Sequence, residues 1–237
     1  MVARIWVYLS ATPLLWLAAT LLAYQAGAWI FQRTGSKPLA HPVPIAVAVL
    51  IALLQMTGTP YETYFEGAQF VHFLLGPATV ALAVPLYQNR AHVRQVLLPM
   101  LAALAAGSAS AIASAVLLAR LFGASVETMR SMAPKSATTP IAMAISEQTG
   151  GLPSLTAAFV VATGIAGAVI VTPLLNLLRV SDWRGRGFSA GVAAHGLGTA
   201  RAFQVNELAG TFAGIGLALN GVATAVLVPL LLRWFLP

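Results

Sequence analysis

Cysteine is absent from the 237 residues, which excludes a disulfide framework, a thiolate metal site and a cysteine nucleophile. Charge is also scarce. Only 8% of side chains are Asp, Glu, Lys or Arg, against about 25% in soluble domains, which excludes an ordinary soluble enzyme. Acids are the rarest: 6 carboxylates and 4 scattered histidines make no His-Glu-x-x-His pattern, so neither a metal, another cofactor nor an enzyme activity is expected. The net charge of +7 could suggest nucleic acid, but that needs basic residues clustered on one solvated face. Here they stand singly between long apolar runs, where they record membrane topology.

Apolar residues make up 59% of the chain. Uncharged runs cover 5–32, 38–61, 67–89, 95–119, 148–178 and 208–232, here segments a, b, c, d, f and h. Each reaches the roughly 20 residues that a helix needs to cross a hydrocarbon core. Two less apolar segments, e (126–147) and g (185–204), lie between them. Segment a follows Arg4 but exceeds the roughly 7–15-residue apolar core of a signal peptide, so it is expected to persist as a first helix.

Short loops rich in Arg and Lys stay cytoplasmic. Arg33 and Lys37, Arg90 and Arg94, and Arg179, Arg184 and Arg186 then face inward, while Glu62 and Glu66, and Glu207, mark outer loops. The N-terminus is expected outside, and the C-terminus with Arg233 inside. Helices d and f then end and begin on the outer side. Segment e therefore starts and finishes on one face, a re-entrant stretch broken at Pro134 and Pro140. The expectation is an all-α polytopic membrane protein of about seven transmembrane helices plus this segment; an eighth crossing by e is the alternative.

Ser110–Phe122 aligned with Asn220–Leu232 gives five identities in 13 positions. The same offset lays b over f, which suggests repeat one over 38–122 and repeat two over 148–236, an inverted 3+3 arrangement around e in a single domain. Inverted repeats with broken helices point to a secondary transporter whose site lies near the membrane midplane.

Segment c carries Gly76-Pro77 and g carries Gly191, Gly196 and Gly198. Broken helices expose amide dipoles suited to a carboxylate, although a tightly packed kink would use the same residues. Lys135, His195 and Arg201 are the ionisable groups deepest outside the loops, and a cation there needs a partner, a wet cavity or a substrate. Ser136, Thr138, Thr139 and Thr199 supply hydroxyls beside them, and Asn220 a buried amide. Lys135 could instead snorkel to the surface, Arg201 pair with Glu207, and His195 make only a helix–helix hydrogen bond. Glu66, His72, Glu147 and His195 are candidates for proton coupling or gating.

Three strings identify a family. They are His72-Phe-Leu-Leu-Gly-Pro-Ala-Thr-Val-Ala-Leu-Ala-Val-Pro-Leu-Tyr87, Ala133-Pro-Lys-Ser-Ala-Thr-Thr-Pro-Ile-Ala-Met143 with Ser146-Glu-Gln148 and Gly150-Gly-Leu-Pro-Ser-Leu-Thr156, and Ala194-His-Gly-Leu-Gly-Thr-Ala-Arg-Ala202. They resemble the LrgB/CidB family over nearly the whole chain. That resemblance implies a multi-pass protein of the bacterial inner membrane, described as a holin- or antiholin-like modulator of murein hydrolase export and autolysis, with a small LrgA/CidA-type partner. It equally implies kinship with a plastidial glycolate/glycerate transporter and with pyruvate uptake. Two expectations follow: a secondary transporter of small carboxylates (glycolate, glycerate, pyruvate or lactate), or an autolysis modulator. A homo-oligomer is expected in either case, and no nucleic acid.

Overall fold

The computed structural model describes residues 13–35, 40, 42–74, 77, 80, 83–88 and 90–236. No strand occurs among them; the ordered elements are helices. In chain order they are α1 (Pro13–Arg33), α2 (Pro42–Thr57), α3 (Tyr61–Phe73), α4 (Ala83–Gln88), α5 (Arg90–Gln95), α6 (Leu97–Leu121), α7 (Val126–Met132), α8 (Thr139–Thr149), α9 (Pro153–Leu177), α10 (Trp183–Val205) and α11 (Glu207–Phe235). By length and composition α1, α6, α9 and α11 can cross a membrane, while the apolar α2 has only 16 residues. Leu98 is 80% and Trp234 86% exposed, surfaces that suit lipid and not water. The chain is an all-α polytopic membrane protein.

It divides into two compact units, residues 1–81 and 82–237. In the first, α2 and α3 both pack on α1. A Cβ at Gly27 would come 2.6 Å from the Pro42 carbonyl oxygen, so only glycine admits that approach. Gly67 packs as tightly on Pro13 and Trp16. Trp16, fully buried, meets Tyr64 edge-on with ring centroids 6.0 Å apart. In segment c, α3 ends at Phe73 with a turn at Leu74, and α4 begins at Ala83.

In the second unit, chain direction is read from cross-links. Ser108 Oγ donates to Asn220 Oδ1 at 2.7 Å, and Arg120 Nη1 donates to the Phe235 carbonyl at 3.2 Å. α6 and α11 therefore run the same way. Arg186 Nη2 reaches Asn176 Oδ1 at 2.7 Å, while Gly167 abuts Ala194. α9 thus opposes the first limb of α10, which runs alongside α11 through Gly187 on Ala209 and Gly191 on Ala213. Those glycines are required because a Cβ would strike a backbone carbonyl.

α10 is two helical limbs. Ala194 (φ −131°, ψ 20°) and His195 (φ 41°, ψ −132°) break it, and Gly198 then lies on the Ala190 carbonyl. Trp183 and Val205 line one small void; a straight helix would hold them about 33 Å apart. The limb 196–205 therefore returns to the face from which 183–193 enters.

Segment e reverses too. α7 ends at Met132, α8 begins at Thr139, and the returning chain at Leu152 meets Ser131, whose Oγ accepts its N–H at 2.8 Å. The two hairpins enter from opposite ends, the first beside the end of α6 and the second beside the start of α11.

Three expectations are corrected here. Segment g does not cross; it folds back at Ala194–His195. Glu207 consequently shares a face with Arg179, Arg184 and Arg186, and Arg233 lies at the opposite end of α11, so the C-terminus and the Arg179–Arg186 loop occupy different faces. The repeat pair d and h is parallel, because α6 and α11 are joined at matched depths. The opposed pair is α6 with the first hairpin and α9 with the second.

Candidate functional site

The hairpin tips converge on Val160 of α9. Ala137, from the first tip, packs with Ala142 against its fully buried side chain. From the second tip, His195 Nε2 lies 2.8 Å from its carbonyl oxygen. A carbonyl only accepts, so Nε2 carries the proton. The ring fits because Gly164 leaves room: a Cβ there would stand 2.6 Å from His195 Cε1. His195 is non-glycine at positive φ, a strained conformation associated with ligand clamps and switches. Thr199 holds it by donating Oγ1 to the His195 carbonyl at 2.9 Å.

Lys135 rides on the first tip, half-buried and within electrostatic reach of His195. Thr138 is the N-cap of α8, and no side chain caps that end. The α8 N-terminus and that of the limb 196–205 both lie at the tips, and helix N-termini carry partial positive charge. The first tip is anchored by Asn220, whose Nδ2 donates to the Ser136 carbonyl at 2.9 Å while Oδ1 accepts from Ser108 and from Thr224 at 3.4 Å. With its oxygen doubly engaged, Asn220 positions the tip. A cation, an imidazole and two helix N-termini brought to one region suit a small anion.

The expected site residues divide accordingly. Lys135, Ser136, Thr138, Thr139, His195, Gly196 and Thr199 gather at or beside the tips. Gly198 packs the two limbs together. Arg201 lies six residues past the break, toward the outer end of the returning limb, with Nη1 3.4 Å from Gln204 Oε1. Glu147 is exposed near the end of α8. Glu66 and Pro77 belong to the first unit and are exposed. Gly76 and the His72 side chain lie outside the described residues.

Sequence reasoning missed the joining of Ser131 with Ser146 and Thr156, fully buried and bonded together: Thr156 Oγ1 donates to the Ser131 carbonyl at 2.9 Å and lies 2.7 Å from Ser146 Oγ. Ser146 and Thr156 sat in the family strings. It also missed that Gly187-Phe-Ser-Ala-Gly191 spells a nucleophile elbow. That motif needs a strand–turn–helix setting. Here Ser189 is inside a helical limb, bonded to the Arg186 carbonyl at 3.0 Å, and both glycines serve the contact with α11.

At the outer edge, Asp182 caps α10 through the Arg184 N–H at 2.9 Å and pairs with its guanidinium at 2.8 Å. Hydrogen bonding to Arg184 holds the Asp182 carboxyl below the usual carboxylate range.

The LrgB-like family matches residues 20–234. YwbG of Bacillus subtilis (strain 168), described as uncharacterized, is 35% identical over 215 residues, covering 91% of this chain and 95% of that protein. The antiholin-like protein LrgB of Bacillus mycoides (strain KBAB4) is 30% identical over 219 residues, covering 92% and 95%. No solved structure matches. Family match and full-length relatives agree: the chain belongs to the LrgB-like family.

Proposed function

We propose that this chain is an antiholin-like protein of a bacterial inner membrane that, with a small LrgA/CidA-type membrane partner, modulates murein hydrolase export and autolysis. The observation that carries this reading is the end-to-end similarity to proteins named antiholin-like LrgB, at 30% identity over 95% of their length. Exposed apolar flanks such as Leu117, Leu118, Val222 and Val226 offer surface for a partner helix or a second copy within the bilayer. The face bearing Arg90, Arg94, Arg179, Arg184 and Arg186 is the cytoplasmic one on this reading. Deleting the chain from its host should change the rate of detergent-induced lysis and the murein hydrolase activity in the culture fluid, and re-expression should reverse both. Unchanged lysis and hydrolase release would contradict it.

A second reading is favoured by one observation, the convergence of Lys135, His195 and two helix N-termini at the tips of opposed hairpins. It makes the chain a non-catalytic secondary transporter of small carboxylates of the glycolate, glycerate, pyruvate or lactate class, binding between the tips. Saturable uptake of a labelled carboxylate by proteoliposomes holding this chain alone, lost in a folded Lys135→Ala variant, would support it. Unselective dye leakage, or no uptake, would count against it.

A further inference from the structure

α6 and the first limb of α10 run the same way and share a core cluster in which Met100 and Phe188 are buried, with Val192 against Gly107. Beside that contact they line a groove of about 670 Å³, within the roughly 300–1,000 Å³ of ligand clefts. Along α6 the groove runs from Val96 to Ser114, about 27 Å. The α10 wall runs only from Asp182 to Ala193, because the limb turns back at the next two residues; that is about 17 Å. A helix that spans the membrane needs a seat of about 30 Å, whereas one leaflet offers about 15 Å of hydrocarbon. The two-walled part of the groove therefore has the depth of a lipid chain in one leaflet.

The chemistry changes along that depth. Asp182 and Arg184 border the end where α6 begins, and no other charged side chain lines the groove. Its three serines are satisfied within their own helices: Ser110, Ser114 and Ser189 donate to the carbonyls of Gly107, Ala111 and Arg186 at 3.0, 3.3 and 3.0 Å. The walls thus make no polar demand on an occupant, which suits hydrocarbon and not a small polar solute.

The mouth is basic. α5 leads directly into Val96, and its Val93 packs on the cluster that holds Met100 and Phe188. This brings Arg90 and Arg94, exposed and four positions apart on α5, to the end that Arg184 borders. Arg90 lies over the Tyr87 ring at 4.4 Å and Arg186 over that of Trp183 at 5.0 Å, aromatic residues of the kind found at headgroup level. With Arg179, five arginines meet two carboxylates, Asp182 and Glu207, on this face. Basic pockets between helices at a membrane face attract anionic headgroups.

We propose that this groove binds one anionic phospholipid, with an acyl chain between α6 and the first limb of α10 and the phosphate beside Arg94 and Arg184. The guanidinium N–H groups donate to the phosphate oxygens, and the chain covers the apolar walls. A lipid held in this way braces the start of α6 against the second hairpin and stabilises the folded second unit. The inference goes beyond both functional readings and holds whichever of them is right.

Native mass spectrometry of the full chain in detergent tests it, with phosphatidylglycerol and phosphatidylethanolamine of identical acyl chains offered in equal amounts. The wild type should retain one phosphatidylglycerol with a preference of about fivefold or more, the attraction of at least one arginine near the headgroup. Arg90→Gln with Arg94→Gln, which spares the Arg184–Asp182 pair, should bring the two lipids close to parity. Ala103→Phe, at an exposed position inside the groove, should lower the retained phosphatidylglycerol severalfold. Leu98→Phe, at an 80% exposed position outside it, should leave it unchanged. Ser110→Leu serves if Ala103→Phe fails to fold. Equal retention of the two lipids by the wild type, or undiminished phosphatidylglycerol in a folded groove-filling variant, overturns the proposal. So does a groove-filling variant that keeps its lipid and loses a second copy of the chain, which would make the groove a seat for a helix.

Discussion

His195 donates from Nε2 to the carbonyl of Val160 at 2.8 Å, while Ala137 of the opposing hairpin packs on the same residue. One turn of α9 therefore registers both tips. His195→Ala removes this buried bond and the packing of the ring on Gly164, which costs about 1–3 kcal/mol. The purified variant should melt several degrees lower, and His195→Gln, which keeps a donor, should lose less. Equal melting temperatures for the wild type and the alanine variant would refute the registering role.

Gly191, Gly196 and Gly198 of the second hairpin are not equivalent. A Cβ at Gly191 or Gly198 would strike the Ala213 or Ala190 carbonyl, whereas at Gly196 it meets open space. Gly191→Ala and Gly198→Ala should each destabilise by about 1–3 kcal/mol. Gly196→Ala should stay within about 0.5 kcal/mol of the parent. Denaturation of the three variants in one detergent checks the ranking, and a reversed order would mean that the limbs do not pack as described.

Asn220 and Ser108 join α11 to α6 at 2.7 Å in a fully buried setting. A double-mutant cycle of Asn220→Ala and Ser108→Ala should give a coupling of about 0.6 to about 1.7 kcal/mol, between the average and the maximum measured for interhelical bonds in membranes. Thr224→Val, which breaks only the 3.4 Å contact, should cost less than Asn220→Ala. A coupling near zero would show that the pair is incidental.

The Asp182 carboxyl titrates below its ordinary value because it is hydrogen-bonded to Arg184. A depressed folded-state value makes its contribution complete above the unfolded carboxylate range, near pH 4, and lost as pH falls through the folded value. Asp182→Asn should therefore lower the melting temperature slightly at pH 7, and the difference should fade below about pH 4. A difference that persists in acid would assign the effect to the cap alone.

Much of the fold was legible because its causes are local. The uncharged runs over 95–119, 148–178 and 208–232 became α6, α9 and α11. Pro134 and Pro140 mark a break that proline chemistry dictates. The reversal at Ala194–His195 was not legible, since neither residue breaks helices; the only signals were Gly196, Gly198 and the low apolar content that keeps α10 out of the membrane-spanning set. Reading Glu207 as an outer-face marker compounded the error, because acids carry little orientation information. Lys135 and His195 were legible as ionisable groups within apolar surroundings. The Ser131–Ser146–Thr156 cluster was not, because hydroxyls 10 to 25 positions apart acquire meaning only when two elements bring them together.

The central claim is a second unit with one hairpin entering from each end, and side-specific labelling tests it most directly. With no native cysteine, single cysteines at Arg184, Glu207 and Trp234 can be probed with an impermeant maleimide in sealed vesicles of known orientation. The geometry predicts that positions 184 and 207 label from one side and 234 from the other. Labelling of 184 and 207 from opposite sides would mean that α10 crosses the membrane, and the opposed-hairpin architecture would be wrong.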